Sequence, residues 1–219
     1  MPRADTTPDP PELPAELTRL SDLRLEPEAS FEEVEIAGPE LSGAEAKDLS
    51  FKASALSEVD LSDARLSRLW MSHCRLTGCN LANLQLAQAR LERTRIERSR
   101  MTGTACAEAR LSDVTVSDCR MDLASFGFAQ LERVTFSDCL LSQSDFLDAR
   151  LTHVRFEDCD LVGADFRGAQ LQACEFRRSD LTGVVGVSSL RGASLELPYI
   201  VELATVWAAE LGIGVLDVG

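Results

Sequence analysis

The chain has 219 residues, 45% of them hydrophobic, which suffices for one domain with a continuous core or for two small ones. Its 36 acidic and 22 basic residues give a net charge of −14, which argues against direct nucleic-acid binding and against attachment to an anionic membrane. Because it has neither a signal-peptide pattern at its start nor about eighteen consecutive apolar residues, we expect a cytoplasmic protein.

Residues 1–28 form the first predicted segment. Their first half is rich in proline through Pro14, a composition typical of a mobile tail. The ELTRLSDLRL stretch that follows is predicted to lie across the open end of the next domain. We therefore treat residues 1–28 as a tail with an N-terminal cap.

Residues 29–184 repeat with a period of five. From Phe31 to Leu181 every fifth position is apolar or alanine, giving 31 positions without a change of phase. Two residues before each lies a second series that is mostly small, such as Ala64 and Cys119. The alternation is that of a strand, but five is an odd number, so a straight strand would turn every second unit inside out. The chain must therefore bend once per unit.

A longer period of twenty lies over the short one. The segment VTFSDCLLSQSDFLDARLTH, residues 134–153, is followed directly by VRFEDCDLVGADFRGAQLQA, residues 154–173. Twenty residues contain four bends, so four units close one coil of roughly square cross-section. At the sheet spacing of about 4.8 Å, the segment makes about eight coils and a rod about 37 Å long.

Residues 185–219 lose the phase and are predicted to form a C-terminal cap. Pro198 suits the first turn of a helix and Gly212 its C-terminal end. The helix has more apolar side chains than packing against the last coil would bury, so we predict that it also joins two chains into a homodimer. The predicted interface comprises Tyr199, Ile200, Leu203, Ala204, Trp207 and Leu211. A monomer whose helix is covered by the tail or by the IGVLDVG segment is the alternative.

No residues for catalysis, a cofactor or a metal are found in the sequence. The seven cysteines fall at inward positions, where free cysteine acts as a small hydrophobe. His73 and His153 share one column but lie four coils apart, about 19 Å, too far to share a metal, and we expect both to be solvated. No phosphate-binding loop, nucleophile with a base, or zinc spacing occurs. We therefore expect a protein that is not an enzyme.

Aspartates at outward positions recur in columns. Like charges about 5 Å apart cost about 1 kcal/mol per pair, so such ladders hold negative potential for a cationic partner. For any single aspartate, turn chemistry and solubility are the better explanation. Five arginines from Arg90 to Arg100 interrupt the acidic surface. The columns are Asp118, Asp138 and Asp158; beside them Asp160 and Asp180; and separately Asp145 and Asp165.

Individual units resemble the A(D/N)LXX motif of the pentapeptide repeat proteins. Examples are VDLSD (59–63), CNLAN (79–83), CDLVG (159–163) and ADFRG (164–168), and the resemblance covers about 70% of the chain. It implies an all-β fold, a right-handed quadrilateral β-helix with a C-terminal helical cap.

The resemblance also carries a functional expectation. The best-understood members, the mycobacterial MfpA group and the Qnr group, mimic duplex DNA, dimerise through C-terminal elements and bind DNA gyrase, which protects it from quinolones. The chain is similar to the MfpA group in its unbroken coils and C-terminal helix, and it lacks the projecting loops of the Qnr group. The resemblance thus implies a non-enzymatic, DNA-mimicking partner of gyrase or another type II topoisomerase. A structural or scaffolding module for a different protein is the alternative.

Overall fold

The fold is known from a computed structural model, which describes residues 6–20, 23–210 and 212–214. These residues contain seventeen short strands, a 3-10 helix (Val187–Leu190) and one α-helix, α1 (Leu197–Glu210). The strands are β1 (Thr18–Leu20), β2 (Ser30–Glu32), β3 (Val34–Ala37), β4 (Glu45–Lys47), β5 (Ser50–Lys52), β6 (Ala55–Ser57), β7 (Arg65–Ser67), β8 (Trp70–Ser72), β9 (Arg75–Thr77), β10 (Arg90–Glu97), β11 (Arg110–Ser117), β12 (Gln130–Ser137), β13 (Arg150–Thr152), β14 (Arg155–Glu157), β15 (Gln170–Gln172), β16 (Cys174–Arg177) and β17 (Ala193–Leu195).

The strands pair in parallel at an offset of twenty residues. Phe136 on β12 lies opposite Phe156 on β14, and single bridges such as Asp145 to Asp165 continue the same offset on the other sides. The predicted β-solenoid is therefore confirmed, with about nine turns. The count exceeds the predicted eight because β1 pairs with β3 and β17 with β16, which extends the stack at both ends.

Each five-residue unit ends in a left-handed bend. Every position whose number ends in 3 or 8, from Glu28 to Gly183, has a positive φ, and 25 of these residues are not glycine, with φ between 44° and 63°. A side chain in this conformation costs roughly 1–2 kcal/mol. The bends are held from the next coil: the Asp118 N–H donates to the Ser137 carbonyl at 3.1 Å, and Asp138 donates to Glu157 at 3.0 Å.

The interior of the rod is filled with side chains. In its C-terminal half the phenylalanines stack along two columns, with Phe156 centred 5.1 Å from Phe136 and 4.9 Å from Phe176. Edge contacts join the two columns, as between Phe146 and Phe156 at 5.7 Å. The leucine-rich N-terminal half leaves a cavity of only about 40 Å³, room for a few waters. The interior therefore offers no room for a ligand.

The C-terminal end is closed by α1. The predicted slip of phase is present, since Phe176 pairs with Leu195 at an offset of nineteen residues instead of twenty. Leu203 is buried at 3% exposure, and the Trp207 indole Nε1–H donates to the Val187 carbonyl at 3.2 Å. The Glu210 carboxylate accepts the Val187 and Ser188 N–H groups at 3.1 and 2.9 Å. No helix among the described residues is long and apolar enough to cross a membrane.

The N-terminal segment differs from the prediction of a mobile tail. Residues 6–14 lie against one corner of the rod, where the Glu12 N–H donates to His73 Nδ1 at 3.1 Å. The expectation that both histidines are solvated was therefore wrong: His73 is half-buried and hydrogen-bonded, and His153 is half-buried with its Nδ1 atom inaccessible to solvent. Four prolines in nine residues favour an extended chain that can lie along a corner.

The phenylalanine columns give a prediction about stability. Phe156 is fully buried and contacts rings above, below and beside it, so Phe156→Ala should lower the free energy of unfolding by about 3–5 kcal/mol. Phe31 is half-buried and stacks on Phe51 in the first coils, so Phe31→Ala should cost clearly less. Urea denaturation measures both. Equal losses would contradict the assignment of the C-terminal half as the better-packed part.

Candidate interaction surfaces

The acidic column, defined as Asp118, Asp138 and Asp158, occupies one corner of three successive coils. All three side chains are exposed, and all three residues are left-handed. Arg178, which follows in the same column, donates to both carboxylate oxygens of Asp158 at 2.8 Å and holds the pKa of Asp158 below its usual value. No ion pair of Asp118 or Asp138 occurs within the described parts of the chain. These two carboxylates are therefore the ones available to a partner.

The remaining predicted acidic residues stabilise the backbone of their own units. In each, a carboxylate oxygen accepts the N–H group two residues further on, the geometry of an Asx turn. The four contacts are Asp145 to Leu147 (2.8 Å), Asp160 to Val162 (3.0 Å), Asp165 to Arg167 (2.9 Å) and Asp180 to Thr182 (2.8 Å). The aspartate at the second position of the repeat motif therefore stabilises the turn of its own unit.

Asp165 and Asp145 also have side-chain partners. The Arg167 guanidinium donates to Asp165, and this hydrogen bond lowers the pKa of the Asp165 carboxyl. Asp145 accepts a hydrogen bond from the Ser125 hydroxyl at 3.1 Å. The ladder of Asp145 and Asp165 is therefore less free for an external cation than the corner residues Asp118 and Asp138.

The charge changes sign along the rod. Residues 81–100 carry five arginines and two glutamates, a net charge of +3, whereas residues 101–160 carry a net charge of −6. Residues 161–180 are neutral, with three acidic and three basic side chains. A stretch of about three acidic coils therefore follows the basic block. The first coils are acidic as well, because residues 31–60 carry eight acidic and two basic side chains, a net charge of −6.

An exposed aromatic residue that the sequence pattern did not single out lies beside the basic block. Arg90 pairs with Arg110 on one side of the rod, and Arg150 follows in the same column. Trp70 pairs with Arg90 at the start of this column and is 41% exposed. Its outward position in the five-residue frame was the signal that could have identified it.

Two apolar corner residues were also missed. Leu123 and Phe128 are left-handed, with φ of 60° and 59°, and are 56% and 58% exposed. Corner positions are otherwise mostly polar or glycine, so a large apolar residue two places after a central position was a signal in the sequence. These residues place exposed apolar surface on one of the acidic coils between residues 101 and 160.

All seven cysteines are free and buried, as their register predicts. Burial raises the pKa of Cys74 to about 11 and that of Cys106 to about 12. A thiol that resists ionisation is a poor nucleophile and a poor metal ligand. Within the described residues, no three His, Cys, Asp or Glu side chains converge as a metal site requires.

The C-terminal helix divides the predicted dimer residues between two faces. Three of them face the rod and belong to or pack against its core, namely Tyr199, Leu203 and Trp207. The prediction placed these three on a free surface, and they are not on one. The outward face instead carries Leu197, Ile200, Val201 and Ala204, of which Leu197 and Val201 are 72% and 66% exposed. Leu211, the last predicted interface residue, lies outside the described residues.

This architecture defines a repeat solenoid, a class whose regular outward columns form extended binding surfaces. The sequence matches the description "Pentapeptide repeat region" over residues 70–143, 97–166 and 117–185, more than half of the chain. The protein therefore belongs to the pentapeptide repeat family.

The chain is also similar to solved structures. One is trypsin-treated QnrB1, a plasmid-mediated fluoroquinolone resistance protein, with 18% identity and a TM-score of 0.48 over 87% of this chain and 99% of that one. Another is HetL, involved in heterocyst differentiation regulation in the cyanobacterium Nostoc sp. strain PCC 7120, with 18% identity and a TM-score of 0.39 over 77% and 87%. No curated protein matches the sequence.

The turn contacts predict how one aspartate responds to substitution. Asp160→Ala removes the acceptor of the Val162 N–H and should lower the free energy of unfolding by about 1 kcal/mol. Asp160→Asn keeps an oxygen in the same place and should cost only a few tenths. Chemical denaturation of the two variants measures the difference. A loss as large for asparagine as for alanine would mean that charge, and not the turn, is the contribution of Asp160.

Proposed function

We propose that the protein is a non-enzymatic binding protein whose acidic coils mimic duplex DNA, and that its partner is DNA gyrase or another type II topoisomerase. In this proposal it protects the enzyme from topoisomerase poisons. It does so by occupying a basic surface that otherwise holds DNA.

The charge density of the coil at 141–160 carries the proposal. It has five acidic and two basic residues, a net charge of −3. At about 4.8 Å per coil this is one negative charge per about 1.6 Å of rod, close to the one per about 1.7 Å of duplex DNA. A basic groove that binds DNA would therefore meet a similar potential on this part of the rod.

The acidic column narrows the contact to one corner. Among the described residues, no cation pairs with Asp118 or Asp138, whereas Asp158 must give up or share Arg178. The exposed Leu123 lies on the corner next to the acidic column, and apolar contact there adds affinity that charge alone does not supply. Phosphate mimicry together with an apolar anchor suits a protein partner.

We also propose that the protein is a homodimer joined through α1. The observation behind this is the outward face of Leu197, Ile200, Val201 and Ala204, which remains after Tyr199, Leu203 and Trp207 are used to cap the rod. A symmetric contact between two such faces would bury them and double the length of the rod.

A scaffolding role for a different protein is the second candidate. The sign change along the rod favours it, because a basic block beside the acidic coils is not a feature of DNA and suits a partner with a matching pattern of charge. Inhibition of gyrase supercoiling, or its rescue from a quinolone, at micromolar protein would favour the first candidate. No effect on gyrase at large excess would favour the second.

The acidic column gives the first functional prediction. Replacing Asp118, Asp138 and Asp158 together by asparagine should weaken topoisomerase binding about 3- to 100-fold, at up to 1 kcal/mol for each exposed charge, and reduce its salt dependence. A control with Glu28→Gln, Asp63→Asn and Glu108→Gln also removes three corner charges, but on other corners, and should bind as the unmodified protein does. Equal affinities for the two triple variants would rule out this column as the contact.

The helix gives the second prediction. Val201 points outward, so Val201→Glu should convert a dimer of twice 23.9 kDa into a monomer without loss of folding. Ala209→Glu adds the same charge to a flank of the helix and should leave the dimer intact. Light scattering at micromolar concentration gives both masses. A mass of 23.9 kDa for the unmodified protein would refute the dimer.

A further inference from the structure

Residues 6–14, which we call the strap, run along one corner of the rod against its chain direction. Thr6 borders the same groove as His153, the Asp9 N–H approaches Asp113 Oδ1 at 3.4 Å, and the Glu12 N–H reaches His73. The strap thus descends from the coil of His153 to the coil of His73. Beyond it, Thr18 donates to the Glu33 carbonyl at 2.8 Å, in the same corner column.

The length of the strap matches the rise of the rod. Six residue steps from Thr6 to Glu12 at the polyproline rise of about 3.1 Å cover about 19 Å. Four coils at about 4.8 Å also rise about 19 Å. Pro8, Pro10, Pro11 and Pro14 favour this conformation before docking, and Pro8 is buried against the corner. An extended proline-containing peptide therefore keeps register with the corner over its whole length.

The corner beneath the strap is a groove of charged and polar side chains. Its members are His73, Arg93, Asp113, Arg133 and His153, which are successive residues of one corner column. Asp113 is only 6% exposed and is held by two hydrogen bonds from Arg133, at 2.7 and 2.8 Å. The Arg133 hydrogen bonds and the Asp9 N–H both keep the pKa of Asp113 below its usual value. The groove is therefore ordered by its own side chains as well as by the strap.

The strap leaves donors in the groove unsatisfied. Since Glu12 donates to Nδ1 of His73, the proton of the neutral ring lies on Nε2, and Arg93 Nη1, 3.5 Å from that atom, has no acceptor there. Arg93 Nε and His153 Nδ1 are buried without a hydrogen-bond partner in the described part of the chain. Arg93 meets the Asp9 carboxylate at a long 3.5 Å. A peptide with a better-placed carboxylate would bind this groove more tightly than the strap does.

The geometry points to a peptide-binding groove along this corner, which takes an extended, proline-containing peptide with carboxylate side chains and is occupied in cis by residues 6–12. The strap is then a built-in competitor, present at the high effective concentration of a tethered segment. A partner of this chemistry binds when the strap is displaced, and its binding uncovers no apolar core.

The test uses the full chain with a weakened strap and a fluorescein-labelled synthetic peptide of residues 6–16. Asp9→Lys with Glu12→Pro reverses the contact to Arg93 and removes the N–H that His73 accepts, while proline retains the extended backbone. The matched control, Glu12→Ala with Glu16→Lys, changes the net charge by the same amount but keeps Asp9 and the N–H of residue 12. Circular dichroism verifies that both variants are folded.

Fluorescence anisotropy should show the peptide binding the weakened-strap variant at least about tenfold more tightly than the control or the unmodified protein. Adding Arg93→Ala to the weakened-strap variant should reduce that affinity about two- to fivefold, whereas Arg98→Ala, on the next corner of the same coil, should not. Any of three results would overturn the proposal. They are equal peptide affinity for the weakened-strap variant, the control and the unmodified protein, no binding to the weakened-strap variant at millimolar peptide, and equal effects of Arg93→Ala and Arg98→Ala.

Discussion

One left-handed residue in every five is the constraint on which the structure depends. It turns the chain through each corner, and it does so at 25 non-glycine residues that individually resist this conformation. The cost is offset because each coil donates to and accepts from its neighbours at the same twenty-residue offset. A bend out of phase would break the hydrogen bonds of the coil above and of the coil below, so the phase is kept from Glu28 to Gly183.

The same constraint determines which carboxylates are bound to the backbone of the rod and which are available to a partner. A carboxylate that precedes a central apolar residue, such as Asp160, bonds to the backbone of its own turn. A carboxylate at the corner, such as Asp138, points outward and has its backbone, not its side chain, bound to the next coil. The two freest of the predicted carboxylates, Asp118 and Asp138, therefore lie on a corner column, and stacked phenylalanines such as Phe146 and Phe156 hold the coils at fixed spacing. Rigidity of this kind lowers the entropy lost on binding.

The fold could be predicted from the sequence because the five-residue period leaves one solution, and thirty-one in-phase positions exclude coincidence. The inward cysteines follow from the same register. The binding surface was predicted less well, because pairing depends on side-chain reach. The twenty-residue spacing places Arg178 beside Asp158, but it does not show that the guanidinium donates to both carboxylate oxygens. Composition indicated a mobile tail for the residues that form the strap. The proline content of this segment describes its conformation when free, but does not reveal that a corner of the rod matches its length. On α1, helical periodicity found an apolar stripe but not the role of Trp207 as a hydrogen-bond donor to Val187.

In the proposed complex, the acidic corner of Asp118 and Asp138 faces the partner, and the side of Arg90 and Arg110 does not. Carboxyl footprinting of the complex with DNA gyrase, in which exposed Asp and Glu side chains are labelled chemically and located by mass spectrometry, tests it most directly. Gyrase should protect Asp118 and Asp138 from labelling, while Glu92, on the side of Arg90 and Arg110, should be labelled as in the free protein. Protection of Glu92 with full labelling of Asp118 and Asp138 would contradict the account.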